Sequence, residues 1–210
     1  MKLLKSFKDP WDAVTLFENK LAEYGGSKYA VCVDSCSNAL FLCMKYLKVE
    51  HECITLPAHT YASVPMQCIH AGNYINFSDE IWSGAYYIGD TDIVDSATRF
   101  TRNMYAPGSY YCVSFHHRKT LKLGRAGAIL TDDKDFVDWL RVMIYDGRHC
   151  DVKYDNDILG AIGYHMYITP ETAFEGLEKL KELPDKNLDT GGSHSYPDLR
   201  HQEVFKDYLK

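Results

Sequence analysis

Short apolar runs alternate along this chain with stretches of helical periodicity, and that alternation most limits the folds open to it. The runs are 28–33 (KYAVCV), 53–56 (CITL), 74–77 (YINF), 86–88 (YYI), 92–94 (DIV), 110–115 (YYCVSF) and 128–131 (AILT). They are short enough to be strands, and too continuously apolar to have one face in water. Helices are expected from Pro10 to Gly25, over 37–47, from Thr60 to His70 and from Asp135 to Tyr145. Asp9 and Pro10 suit a helix start, and Gly25-Gly26 a stop. Phe136, Trp139, Leu140, Met143 and Ile144 form one apolar helical face. The pattern predicts an α/β fold, a mostly parallel sheet with helices on both faces.

Residues 146–169 read as loop with a short helix, and Pro170 to Leu183 as another helix. The stretch 184–198 (PDKNLDTGGSHSYPD) is dense in turn formers and reads as an exposed connector before a short closing helix. The expected organisation is an α/β domain over 1–183 followed by connector and short helix over 184–210.

Composition removes several classes of function. The chain has 210 residues, 46% apolar and 25% charged, enough for one sizeable core. A net charge of −6 lacks the basic footprint of a nucleic-acid binder. No apolar run approaches a membrane span, and the opening MKLLKSFKDP has no signal-peptide core. Seven cysteines, an odd number without C-x-x-C spacing, read as buried reduced thiols in a reducing compartment, and a cytoplasmic location is expected. Clustered zinc ligands are missing.

In open α/β sheets ligands bind beyond the carboxyl ends of strands. After 28–33, Ser35 and Ser37 sit where a helix begins; they either cap it or help hold an anion. After 53–56, Tyr61 either packs or stacks on a planar ligand. After 92–94 comes Asp95, a buried carboxylate that needs a partner: a loop amide, Arg99 or Arg102, or a cationic ring nitrogen. After 110–115 comes Lys119, either solvated or, with a lowered pKa, an amine nucleophile that forms a Schiff base. Anion cup, aromatic, acid and lysine, in that order, are what pyridoxal phosphate requires.

The order resembles the fold-type I pyridoxal-phosphate enzymes, and in detail the DegT/DnrJ/StrS sugar aminotransferases. The resemblance is carried by FENKLAEYGGSKYAV, SCSNAL, LPAHTYAS, IVDSA, SFHHRKTLKLGRAGAILTDD and DGR, within about residues 14–183. It implies a phosphate turn at Ser35-Cys36-Ser37, with Tyr61 stacking on the ring and Asp95 at the pyridine nitrogen. It also implies Ser114 at the phosphate and Lys119 in Schiff-base linkage to the aldehyde. His116 would orient neighbours. His165, in the sequence GYH, falls where the family uses an asparagine to reach the neighbouring subunit's phosphate, which implies a homodimer. The implied reaction carries an amino group from an amino acid, glutamate by analogy, to a keto-sugar linked to a nucleotide. A dehydratase of the same family is disfavoured, because that variant replaces the lysine with histidine.

The chain also departs from the family pattern. Cys36 replaces a glycine, Thr98 stands where a glutamine or histidine contacts the cofactor, and Arg118 and Arg125 add cations beside the phosphate turn. Those cations either face solvent or serve the phosphate or an anionic substrate. Family members are much longer, and the expectation is a shortened form without most of their C-terminal domain. The alternative reading is therefore a reduced, non-catalytic subunit of the same fold that binds cofactor or serves in assembly.

Overall fold

The longer strands of the main sheet are buried on both faces, and alternate side chains face different helical layers. In the computed structural model, which describes residues 7–210, twelve elements are regular. They are α1 (Asp12–Gly25), β1 (Tyr29–Val33), α2 (Cys36–Tyr46), β2 (Cys53–Pro57), α3 (Ser63–His70) and β3 (Tyr74–Ser78). There follow β4 (Tyr86–Tyr87), β5 (Ile93–Ser96), β6 (Tyr110–Ser114), β7 (Gly127–Thr131), α4 (Lys134–Met143) and α5 (Pro170–Lys181). Most of the N-terminal stretch read for a signal core, residues 1–6, lies outside the described residues. No helix among the described residues is long and apolar enough to cross a membrane.

Val31, Val33, Cys112 and Ile129 face one core with α2, α3 and α4. Ala30, Cys32, Val113, Ala128 and Leu130 face the other with α1 and α5. The expected two-faced covering is therefore present. The expected preponderance of parallel strands is not. The main sheet runs β1-β7-β6-β5-β4, and only β5–β6 is parallel within it; β2 and β3 form a separate parallel pair. Apolar continuity reports burial on both faces and carries no direction. Connections decide direction: β4 and β5 are joined by a short turn, and β6 and β7 by a loop without a helix, so both pairs fold back antiparallel.

α1 begins two residues later than read, after a turn in which Asp9 Oδ1 accepts from Trp11 N at 3.0 Å. It ends as expected, with Gly26 at φ +86°, where glycine is the favoured residue. Its Glu18 is 2% exposed and covers the open edge of β1. Glu18 Oε1 accepts from Cys32 N at 2.7 Å and from Arg141 Nη1 at 2.9 Å, so one carboxylate joins α1, β1 and α4. An edge amide is thereby withdrawn from stray pairing.

The connector expected over 184–198 is exposed along much of its length and is tied to the domain at several points, as a strap. Arg99 holds Asp189 through two bonds of 2.9 and 2.7 Å, and Ser193 exchanges backbone and hydroxyl bonds with Trp82. Beyond it, Leu199 and Phe205 are buried, and the chain closes in short 3₁₀ turns. Turn-forming composition marked the absence of regular structure correctly but concealed these isolated anchors.

Candidate active site

The carboxyl end of β1, the N-terminus of α2 and the loop after β6 converge on one cavity of ≈ 580 Å³. Ser35, Cys36, Ser37, Tyr61, Asp95, Ser114 and Lys119 line it, together with Asn38, Ser63, Gln67, His116, Arg118, Arg125 and Tyr196. Seven of the nine residues picked from sequence thus share one space. Thr98 and His165 are not among its lining.

At one end lies a set of donors suited to an anion. Ser35 caps α2, its Oγ accepting from Asn38 N at 3.2 Å, so the capping alternative holds for its side chain. The amides of Cys36 and Ser37 precede that bond in the first helical turn and have no hydrogen-bond partner among the described residues. A helix N-terminus with free amides favours negative charge. Ser37 Oγ is 2.6 Å from Ser63 Oγ, which ties α2 to α3. Gly127 makes this approach possible: a Cβ there would sit 2.6 Å from Cys36 N and 2.8 Å from Ser35 C. Arg125 pairs with Asp34 at 2.9 Å on the rim, while Asp34 Oδ1 accepts from Asn38 Nδ2 at 2.7 Å.

At the floor lies Asp95, buried, at the end of β5. Its Oδ1 accepts from Ala97 N at 2.9 Å and from the Cys36 thiol at 3.9 Å; its Oδ2 accepts from Tyr86 Oη at 2.9 Å. Tyr86 Oη also bonds Thr60 Oγ1. Neither Arg99 nor Arg102 pairs with Asp95; they hold Asp189 and Asp185. Burial raises the Asp95 pKa, opposed by these hydrogen bonds and by the charge of Lys119. Burial lowers that of Lys119, opposed by Asp95 and Cys36. A lysine so placed has more free amine at neutral pH than an exposed one. Cys36 points its thiol at the carboxylate, and burial and Asp95 push that thiol's pKa well up, so it remains a neutral donor.

Thr98 is spent elsewhere: its hydroxyl donates to Gly84 O at 3.0 Å and Gly191 O at 2.8 Å. Its expected direct contact with the cofactor finds no support in this geometry. His165 stands on the surface, its Nδ1 3.0 Å from Asp146. Tyr61 is 60% exposed with its ring open to the cavity mouth, and approaches Tyr196 edge-on at 6.1 Å. Sequence reading missed Tyr86 and Tyr196. Tyr86 carried a signal, because Gly89-Asp90-Thr91-Asp92 marks a turn that sets Tyr86 opposite Asp95 in register. Tyr196 carried none.

A mixed sheet between two helical layers, with an amine, a carboxylate and free helix-start amides gathered around one cavity at its strand ends, is the α/β fold of fold-type I enzymes. The chain belongs to the DegT/DnrJ/EryC1/StrS aminotransferase family, whose profile matches residues 4–101 and 83–190. It is 27% identical over 223 residues to the spore coat polysaccharide biosynthesis protein SpsC of Bacillus subtilis, covering 82% of this chain and 57% of that protein. It is 23% identical over 220 residues to the UDP-4-amino-4,6-dideoxy-N-acetyl-beta-L-altrosamine transaminase of Campylobacter jejuni, covering 84% and 58%. Among solved structures, the PMP form of Spr1654 from Streptococcus pneumoniae superposes with a TM-score of 0.68 at 18% identity, over 82% of this chain and 59% of that one. That likeness establishes the fold. The chain spans less than two thirds of the length of these relatives.

Proposed function

We propose that the chain binds pyridoxal phosphate in this cavity and acts as a sugar aminotransferase, taking an amino group from an amino acid, glutamate by analogy, and delivering it to a nucleotide-linked keto-sugar. The observation that carries the reading is Lys119 and Asp95 in one cavity with the unpartnered amides of Cys36 and Ser37. The donor set fits the group: amides and serine hydroxyls for phosphate, a carboxylate for the ring nitrogen, an amine for the aldehyde. The transaminase from Campylobacter jejuni supports a sugar acceptor.

When bound, pyridoxal phosphate supplies an aldehyde that condenses with amines and a ring that accepts an electron pair. The protein supplies the rest. The N-terminus of α2, with Ser37 and Ser114, would anchor the phosphate. Asp95, held by Tyr86, Ala97 and Cys36, would keep the ring nitrogen protonated. Lys119, as a free amine, would be the base that takes the proton from the α-carbon of the donor. Tyr61 would cover the ring.

A homodimer is part of the proposal, with His165 serving the partner's phosphate site. His165 lies outside the cavity of its own chain, and nearby Ile158, Leu159 and Ile162 are exposed apolar side chains suited to an interface. A cytoplasmic location is part of the same reading, supported by seven free thiols, five of them buried. The second reading, a cofactor-binding or assembly subunit without transamination, is favoured by Thr98, whose hydroxyl is committed to two carbonyls. The two part on one experiment: the chain is mixed with an equimolar amount of pyridoxal phosphate and excess glutamate, and products are separated by chromatography. Formation of 2-oxoglutarate with pyridoxamine phosphate is expected. Binding without product would favour the second reading, and absence of binding would contradict the aminotransferase reading and leave only a role in assembly.

A further inference from the structure

Tyr196 lies beyond the last residue matched by the family profile, yet it lines the cavity. The strap brings it there, and the strap is pinned on both sides of it. Before it, Thr98 Oγ1 donates to Gly191 O at 2.8 Å, Thr190 N donates to Thr98 O at 2.7 Å, and Trp82 N donates to Ser193 Oγ at 3.0 Å. After it, Leu199 N donates to Ala58 O at 3.0 Å. At Tyr196 itself, the carbonyl is 3.0 Å from His59 Nδ1. Ala58 and His59 belong to the loop that presents Tyr61, so the strap is tied to that loop. The Tyr196 ring stacks on Trp82, with centroids 5.9 Å apart and planes 21° apart. Trp82 Nε1 in turn donates to His59 O at 2.9 Å.

So fixed, the ring lines the same cavity as Asp95 and Cys36, and its hydroxyl has no hydrogen-bond partner among the described residues. Burial, with Asp95, Cys36 and Tyr61 nearby, pushes its pKa up to about 12, so it is a proton donor throughout the neutral range. A half-buried donor without an acceptor costs free energy unless a ligand supplies one. Thr98 shows why the strap is where it is: its hydroxyl anchors the segment that carries Tyr196.

We propose that Tyr196 is a cofactor-binding residue, its hydroxyl donating a hydrogen bond to the hydroxyl oxygen carried on the pyridine ring. This rests on the reading of the cavity as a pyridoxal-phosphate site. The strap is then a wall of the site, and Thr98 acts on the cofactor only through it.

The test measures dissociation constants by absorbance titration for two ligands, pyridoxal phosphate and its 3-deoxy analogue, which lacks the ring oxygen. Tyr196→Phe removes the hydroxyl and keeps the stacked ring, and its melting temperature is compared with that of the native chain to show that the strap stays docked. The expected result is about a tenfold weaker hold on pyridoxal phosphate, the worth of one net hydrogen bond, with no change for the 3-deoxy analogue. Tyr196→Ala should weaken both ligands, because the wall itself is lost. Equal effects of Tyr196→Phe on the two ligands, or no effect on either, would overturn the inference while leaving the cofactor reading intact. A native chain that binds neither ligand would overturn the cofactor reading and this inference with it.

Discussion

Tyr86→Phe should destabilise the ligand-free chain by about 1.5–3 kcal/mol at neutral pH, the net worth of a hydrogen bond to a charged group, and by less in acid. The substitution keeps the ring, whose centroid is 4.6 Å from that of Trp82, and removes only the hydroxyl. That hydroxyl is the one donor to Asp95 Oδ2 among the described residues, at 2.9 Å; the Ala97 amide and the Cys36 thiol both serve Oδ1. Lys119 is the cation that acts on the carboxylate from the loop after β6. Burial holds the Asp95 pKa above its ordinary value of 3.8. A raised carboxyl pKa in the folded state means that ionisation costs stability as pH rises through it, and that the fold recovers this as pH falls. The Tyr86 bond favours the ionised form, so its loss raises the pKa further. The penalty is therefore full above the folded pKa. It shrinks to that of a neutral hydrogen bond, about 0.5–1.5 kcal/mol, once the carboxyl is protonated. Urea unfolding of both proteins across a pH series measures this directly. In melting temperature the neutral-pH difference corresponds to about 3–12 °C for a chain of this size. A penalty that stays constant with pH, or grows in acid, would refute the account of how Asp95 is held.

Two further perturbations test the frame around the site. Arg141→Met should cost about 3 kcal/mol in urea unfolding, the lower end for breaking a buried pair because the arginine is itself partly exposed, and a cost below about 1 kcal/mol would contradict the role given to Glu18 at the β1 edge. Gly127→Ala should cost about 1–3 kcal/mol, because its Cβ would meet backbone atoms that cannot swing aside, and it should also weaken competition by inorganic phosphate against cofactor binding; an unchanged phosphate affinity would separate the strand from the anion cradle.

Much of the site is legible in sequence because it is local. Asp95 sits near the end of an apolar strand, and Ser35 and Lys119 lie in the segments that directly follow two others, so finding the strand places the residue. The layers were legible for a similar reason, since continuous apolar runs require cover on both faces. Strand direction was not, because burial says nothing about polarity and the turn between β4 and β5 had to be weighed against the α/β pattern. Tyr86 required register as well as strand assignment. Tyr196 required a contact between segments more than a hundred residues apart, made by a tail whose anchors Tyr196, Leu199 and Phe205 follow no helical or strand period. Thr98 misled for the opposite reason: its position matched the family's, but its short side chain reaches neighbouring carbonyls.

The central claim is that Lys119, half-buried near Asp95, is the amine that joins pyridoxal phosphate to the protein. Absorbance spectra of the native chain and of Lys119→Ala, each titrated with pyridoxal phosphate and then washed free of excess, test it most directly. A visible band is expected to persist on the native chain through washing and to be absent from Lys119→Ala. A native chain that never acquires the band, or a Lys119→Ala chain that retains it, would contradict the account.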